Sequence, residues 1–150
     1  MQNVQPIVRI FTANSYSFHV NLKDISHEES LRELIPGVNS INWLAGHIIK
    51  YKYDVLETLG DEKPAEAFER YDRQRGYKPG EDAAQIDDLR TLSRALSDRI
   101  VETLESREWK DSEEDIETLK RIAFWGFHEG YHVGQIAILR RALGKDGAIK

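Results

Sequence analysis

Apolar residues recur every three or four positions along most of the chain, which is the spacing of one face of an α-helix. The first series follows Pro6, a residue type suited to the first turn of a helix. It consists of Ile7, Ile10, Phe11, Phe18 and Leu22, and the polar Asn14 recurs at the same spacing. Ser26 and Glu29 then have the spacing of a capping box, which predicts a short helical turn through Leu34, ended by Pro36.

Three further helices are predicted after this turn. Asn39 or Ser40 can cap the second helix, whose apolar stripe runs from Ile41 to Leu59. The third helix is expected from Ala83 to about Glu105, with its apolar residues on one side. The fourth begins after Ser112 and continues without a break signal to Gly144.

A polar stretch, Asp61–Asp82, separates the second and third helices. It is long for a connection in a compact domain, which predicts either a binding loop or a short helix around Ala65–Tyr71. No segment alternates with period two over a useful length, and no internal repeat is visible. The predicted fold is therefore all-α, a four-helix bundle with a long connection between helices two and three.

Composition narrows the function classes. The chain has 150 residues, 40% of them apolar, which fits a single domain over residues 1–150, and its net charge of −5 provides no electrostatic footprint for nucleic acid. No apolar run is long enough for a membrane span, and the N-terminus lacks the features of a signal peptide. Cysteine is absent, which is compatible with a cytoplasmic protein and leaves His, Asp or Glu as possible metal ligands.

The segment HEGYH, residues 128–132, places two histidines four residues apart on the fourth predicted helix. At 100° per residue their side chains lie about 40° apart and one turn apart, so both rings can face one ion. The segment also matches the H-E-x-x-H signature of zinc peptidases, a pattern short enough to occur by chance. From these residues alone, a metal site, a peptidase and a pair of core histidines all remain open.

A third ligand would favour a metal, because catalytic zinc sites usually have three protein ligands. His47, in the segment NWLAGHI at 42–48, is the best candidate, since it lies at the edge of the apolar stripe on the second helix. His19 lies among polar residues and His27 lies in the acidic segment SHEES, so both are expected to be solvated.

Two segments resemble the DinB-like (YfiT-like) family of metal-binding four-helix bundles. They are NSINWLAGHI at 39–48 and HEGYHVGQIAILRRALG at 128–144. The family pattern is one histidine on the second helix, in a W-x-x-G-H-like context, and an H-x-x-x-H pair on the last helix followed by G-Q-I. His47, His128 and His132 match these positions, and the resemblance covers nearly the whole chain in element order. It implies one divalent ion, commonly zinc or nickel, held by the three histidines with open coordination positions.

Some members of that family are thiol transferases or isomerases that use a low-molecular-weight thiol, whereas many have no established activity. The resemblance therefore specifies the site better than the reaction. An ion held by three histidines would lower the pKa of a bound thiol or of bound water. We therefore expect a metal-dependent enzyme acting on a small molecule, either a thiol-dependent S-transferase or a hydrolase. The alternative is a metal-binding or stress-associated protein without turnover. A peptidase is a remote alternative, because the sequence shows neither an edge strand for a peptide nor a metal ligand downstream of H-E-x-x-H.

Three residues beside the histidine pair are candidates for a catalytic role: Glu129, Tyr131 and Gln135. Glu129 lies about 100° off the histidine face, which fits a surface position as well as a proton-handling group. Gln135 lies about 20° from His128 and could orient a ligand or support the pair, although a packing role is also open. The cavity beside the metal is expected among Trp43, Tyr51, Phe124 and Tyr131.

Gly126, Gly130 and Gly134 recur at four-residue spacing, roughly opposite His128 on the fourth helix. Each costs about 1 kcal/mol relative to alanine in a helix, so close approach by another element is expected to compensate. That element could belong to the same chain or to a second subunit. We favour the second subunit, which would make the protein a homodimer.

Overall fold

The computed structural model describes residues 3–64, 68–72 and 83–149, and within these residues it is helical without strands. The five α-helices are α1 (Gln5–Leu22), α2 (His27–Leu31), α3 (Ile41–Thr58), α4 (Ile86–Ser106) and α5 (Glu113–Ala142). A single 3-10 turn covers Glu69–Tyr71. The predicted all-α class is confirmed.

The four long helices form the bundle. Helix α1 packs against α4 and α5, and α3 packs against the same two helices. The α3–α5 interface therefore lies on the opposite side of the bundle from the α1–α4 interface. The short α2 lies against α3 and α4.

Apolar side chains from all four long helices fill the interior, as the periodic pattern predicted. Among them are Phe11, Phe18, Leu44, Ile48, Leu89, Ile100 and Ile136. Burying a side chain of this size stabilises the fold by about 1.5–3 kcal/mol. In the part of the chain that the structure describes, no helix has both the length and the apolar character needed to cross a bilayer.

The helix starts follow the predicted caps. The side chain of Ser40 accepts a hydrogen bond from the backbone N–H of Trp43, and that of Ser112 accepts one from Asp115. Ser26 and Glu29 form both hydrogen bonds of the predicted capping box. These local signals located three of the five α-helix starts.

Two helix boundaries differ from the prediction by three residues. Helix α2 ends at Leu31 instead of Leu34, and α4 begins at Ile86 instead of Ala83. The later start of α4 has a physical cause, because the backbone of Ala84 is bound by other elements. Its N–H donates to the Tyr71 hydroxyl at 2.8 Å, and its carbonyl accepts a hydrogen bond from the Asn42 amide at 2.8 Å.

The connection between α3 and α4 was predicted to be either a binding loop or a segment with a short helix, and it contains a short helical element. That element is the 3-10 turn Glu69–Tyr71, at the end of the range expected to be helical. The start of that range, Ala65, lies outside the described residues. Tyr71 is completely buried and packs against α3, so this turn of the connection is part of the core.

Two of the three glycines of α5 allow close approach by α1. A Cβ atom on Gly126 would lie 2.9 Å from a methyl group of Ile10, and one on Gly130 would lie 3.2 Å from the Asn14 amide oxygen. The Asn14 amide donates to the Gly126 carbonyl at 2.7 Å. Close helix approach is confirmed, but its partner is α1 of the same chain, so the interpretation that these two glycines face a second subunit is wrong.

The third glycine of the stripe, Gly134, differs from the other two. It is exposed, and a Cβ atom placed there would have no neighbour within 4 Å. Exposed apolar side chains, including Phe127 and Ile138, also lie on α5. A homodimer stays a prediction, and a second subunit that contacted the glycine stripe would have to do so at Gly134.

We expect Gly130→Leu to lower the free energy of unfolding by about 1–3 kcal/mol, because the added side chain overpacks the α1–α5 contact. Gly134→Leu is the matched control, since the same substitution there meets open space. Urea unfolding of both variants measures the difference. Equal stability of the two variants would contradict the close α1–α5 contact.

Candidate metal centre

The three histidines that match the family pattern come together between α3 and α5. One ring nitrogen from each of His47, His128 and His132 lies within 4.8 Å of the others. The Nε2 atoms of His128 and His132 are 3.1 Å apart. Two nitrogen ligands of a tetrahedral zinc ion lie about 3.3 Å apart when each bond is about 2.0–2.1 Å long. The spacing therefore fits two ligands of one ion.

Hydrogen bonds fix the orientation of two of the rings. Nδ1 of His47 donates to the backbone carbonyl of Tyr71 at 2.8 Å, and Nδ1 of His132 donates to the side-chain oxygen of Gln135 at 2.7 Å. In a neutral imidazole, a protonated Nδ1 leaves Nε2 with the lone pair that binds a metal. His47 and His132 would therefore offer neutral Nε2 atoms, which suit a divalent first-row ion.

Metal binding and protonation are linked at this site. Because the lone pair of His132 Nε2 faces Nε2 of His128, a hydrogen bond between them requires a proton on His128. An ion bound to Nε2 of His128 would require that proton to move to Nδ1 of the same ring, whereas an imidazolium, which is protonated on both nitrogens, would have to lose a proton first. The affinity of this site for an ion would accordingly fall as the pH is lowered.

Tyr71 holds the third ligand in place and was not identified from the sequence. Its hydroxyl donates to the Asn42 side chain at 3.1 Å, and its ring packs against Gly46 of α3. A Cβ atom at Gly46 would lie closer than 3.0 Å to the ring, which real Cβ contacts do not show. The glycine directly before His47 was the available signal, because a glycine inside a helix often marks a close approach.

Aromatic rings surround the buried side of the histidines. Trp43 is stacked on His47 with 4.4 Å between ring centroids. Tyr51 presents its ring at 4.7 Å from His47 and at 4.5 Å from His128, and it is itself stacked on Trp125. These rings shield the inner side of the site from bulk solvent, which strengthens electrostatic interactions there.

The outer side of the site is open near His128. Phe124 is 56% exposed and Tyr131 is 54% exposed, and their rings lie against His128 and His132 respectively. Trp43, by contrast, is buried. The four aromatic residues predicted to line one cavity therefore form two groups, with Trp43 and Tyr51 on the inner side and Phe124 and Tyr131 on the rim.

A small interior cavity adjoins the site. It is lined by residues that include Tyr51, Trp125, His128 and Glu129, and its volume is about 10 Å³. A cavity of this size holds about one water molecule. A small-molecule substrate would consequently contact the site from the exposed rim.

Glu129 does not lie at the surface, so the surface position considered for it is wrong. It is 4% exposed, and one of its carboxylate oxygens lies 3.0 Å from the ammonium group of Lys52, which is 1% exposed. The contact is an ion pair, and neither carboxylate oxygen accepts a hydrogen bond in the described structure. The side chain of Glu129, about 100° from the histidine face of α5, therefore points into the bundle toward Lys52 of α3.

The hydrogen bonds of the Lys52 ammonium group go to α4. It donates to the Ser93 hydroxyl at 3.1 Å and also to the Ser97 hydroxyl. Two oppositely charged groups and two hydroxyls therefore form a polar cluster in the interior of the bundle. The cluster connects α3, α4 and α5 directly beside the candidate metal centre.

The two remaining histidines do not join the site. His19 is half-buried at the α1–α4 interface, and both of its ring nitrogens contact backbone carbonyls, so the expectation of a solvated ring is wrong. His27 is half-buried at the start of α2. Among the described residues, His47, His128 and His132 form the group that could hold a metal ion.

We expect Gly46→Ala to lower metal affinity about tenfold or more, because displacement of Tyr71 removes the carbonyl that orients His47. Gly134→Ala is the matched control, since it places the same methyl group in open space on α5. Competition with a chelating dye measures both affinities. Unchanged affinity in Gly46→Ala would contradict the role of Tyr71.

The buried ion pair gives a separate stability prediction. Glu129→Leu should lower the free energy of unfolding by about 3–5 kcal/mol, because it leaves the Lys52 charge buried without its partner. The double variant Lys52→Met with Glu129→Leu should recover most of this loss. Urea unfolding in the presence of a chelator measures stability without a metal contribution. A double variant as unstable as the single one would show that the pair is not the cause.

Comparison with known proteins agrees with this geometry. A family model described as the DinB superfamily matches residues 11–136, a range that contains His47, His128 and His132. Searches of curated proteins and of solved structures found no match. The family model covers well over half of the chain, and the helical bundle and the three-histidine site are both consistent with it. The chain belongs to the DinB superfamily.

Proposed function

We propose that this protein is a metal-dependent enzyme that binds one divalent ion through His47, His128 and His132 and transfers a thiol to a small electrophile. The observation that carries the proposal is the convergence of three imidazoles, one nitrogen of each within 4.8 Å of the others, at a site with one exposed side. Three neutral ligands leave the charge of the ion uncompensated, and at least one coordination position stays open.

Zinc or nickel is the ion we propose. Imidazole nitrogens suit zinc and nickel, whereas magnesium and calcium prefer oxygen ligands. The chain has no cysteine, so the thiolate ligands that favour Cu(I) and iron–sulfur clusters are absent from the sequence. The proposed co-substrate is a low-molecular-weight thiol, which would supply the sulfur that the protein itself lacks at this site.

A divalent ion held by His47, His128 and His132 would lower the pKa of a thiol or of water. In the proposed transfer, the sulfur electron pair of the thiol would form a bond to an electrophilic carbon of the second substrate while the bond from that carbon to its leaving group breaks. The leaving group departs with the electron pair of that bond, and the thiol proton is released to solvent. The reaction needs no oxidant or reductant. With water in place of the thiol, the same balance describes a hydrolase.

The residues of the chain would contribute binding and orientation to this reaction. Phe124 and Tyr131 offer an exposed apolar surface directly beside the histidines, which suits an electrophile with an apolar body. Gln135 would act as a positioning residue through its contact with His132. Glu129 is not proposed as a proton-handling group, because its charge is paired with Lys52.

A second candidate function is metal binding without turnover. The interior cavity beside the site has room for about one water molecule, and this observation favours a protein that stores or senses an ion. A peptidase is disfavoured, because the glutamate of H-E-x-x-H acts there as a general base. In this chain the corresponding Glu129 is turned toward Lys52.

We expect the purified protein to contain about one divalent ion per chain and His47→Ala, His128→Ala and His132→Ala each to lose most of it, because two imidazoles hold such an ion weakly. Elemental analysis of each purified variant measures the stoichiometry. His19→Ala is the matched control, because His19 lies at the α1–α4 interface. Undiminished metal in all three site variants would refute the proposed site.

The same variants separate the two candidate functions. The metal-loaded protein would be incubated with low-molecular-weight thiols and an aryl chloride, and loss of the thiol would be followed. Turnover that His128→Ala abolishes and His19→Ala retains is the result expected for a transferase. Normal metal content without turnover of the tested thiols, or of ester substrates, would favour the non-catalytic function.

A further inference from the structure

A groove of about 610 Å³ lies between α1 and α4. Neither helix carries a histidine of the metal centre, and their interface lies across the bundle from the α3–α5 interface. The volume is within the range of small-molecule sites, roughly 300–1,000 Å³. The proposed metal-dependent activity does not use this groove.

The groove is positively charged although the protein is acidic. Its lining contains the cations Lys23, Arg90 and Arg94 and one carboxylate, Asp98. Three cations less one carboxylate give a formal charge of +2, whereas the whole chain carries −5. Like charges gathered along one groove repel each other, and a bound anion would relieve that repulsion.

His19 also lines the groove and contacts both of its walls. Its Nδ1 lies 2.6 Å from the carbonyl oxygen of Ser15, and its Nε2 lies 3.0 Å from the carbonyl oxygen of Arg90. This ring also connects α1 to α4 and fixes the two walls relative to each other.

The cations of the groove differ in the hydrogen bonds and ion pairs that they form within the chain. Arg90 donates to the Leu22 carbonyl at 3.0 Å and contacts the carboxylate of Asp87. Lys23 and Arg94 are exposed, and their side chains make no hydrogen bond or ion pair in the described part of the protein. Two cations on opposite walls of the groove are therefore available to a ligand.

We propose that this groove binds a small organic anion, with its carboxylate or phosphate group between Lys23 and Arg94 and its apolar body against Val20 and Ala95. The planar guanidinium of Arg94 can bind two oxygens of either group at once, and the Lys23 ammonium adds a point charge. Carboxylate and phosphate share this recognition chemistry, so the probes must distinguish them.

Isothermal titration of the full-length protein at low ionic strength tests the proposal, with benzoate, phenyl phosphate and inorganic phosphate as probes. We expect at least one organic anion to bind saturably and more tightly than inorganic phosphate, and to bind more weakly as salt is added. Arg94→Glu and Lys23→Glu should each weaken this binding about tenfold or more. Arg141→Glu is the matched control, because it makes the same charge change at an exposed position of α5.

Variants also distinguish the groove from the metal centre. His128→Ala should bind the organic probe with wild-type affinity, whereas an anion bound at the ion would be lost in this variant. Arg94→Gln, a milder change at an exposed position, should reproduce the direction of the Arg94→Glu effect. The proposal is overturned by the absence of saturable binding for all three probes, by equal losses in Arg141→Glu and Arg94→Glu, or by loss confined to His128→Ala. Equal affinity for inorganic and phenyl phosphate would overturn the assignment of an organic ligand.

Discussion

The hydrogen bond from Nδ1 of His47 to the carbonyl of Tyr71 is the contact on which the candidate metal centre depends. It decides which nitrogen of His47 faces the histidines of α5. The ring of Tyr71 fits against α3 because Gly46 has no side chain. The Tyr71 hydroxyl is held by its hydrogen bonds with the Asn42 side chain and the backbone N–H of Ala84. A single ring orientation thereby depends on α3, on the 3-10 turn and on the residues before α4. Outer contacts of this kind matter for metal affinity nearly as much as the ligands themselves.

The buried ion pair has a consequence for the electrostatics of the centre. Glu129 follows His128 directly, and an unpaired carboxylate at that position would offset part of the charge of a bound cation. Lys52 neutralises the carboxylate at 3.0 Å, so the nearest buried acidic group contributes little net charge. A bound ion would then act on its open coordination positions with nearly its full charge. In this chain the glutamate of the H-E-x-x-H pattern therefore forms a buried ion pair, whereas in a zinc peptidase it acts as a general base.

The sequence predicted those parts of the structure that local spacing controls. Helical periodicity and capping residues gave the four long helices to within a few residues, and the i, i+4 spacing placed His128 and His132 on one face. Contacts between distant residues could not be predicted in this way. Tyr71 and His47 are 24 residues apart, and periodicity does not specify which carbonyl a ring nitrogen meets. For Lys52 a signal was present, since a lysine on the apolar stripe of α3 requires a buried partner.

The packing of α5 shows why a metal centre can depend on residues that do not touch it. Around this one helix, His128 and His132 face His47, Glu129 faces Lys52, and Gly126 with Gly130 faces α1. The glycines cost about 1 kcal/mol each in helix propensity, yet without them α1 could not approach α5 closely enough for the 2.7 Å hydrogen bond from Asn14 to the Gly126 carbonyl. Because α1 also packs against α4, this contact fixes the position of α5 relative to the rest of the bundle. The distance between the histidines of α5 and His47 is therefore set partly by packing on the side of α5 that carries no ligand.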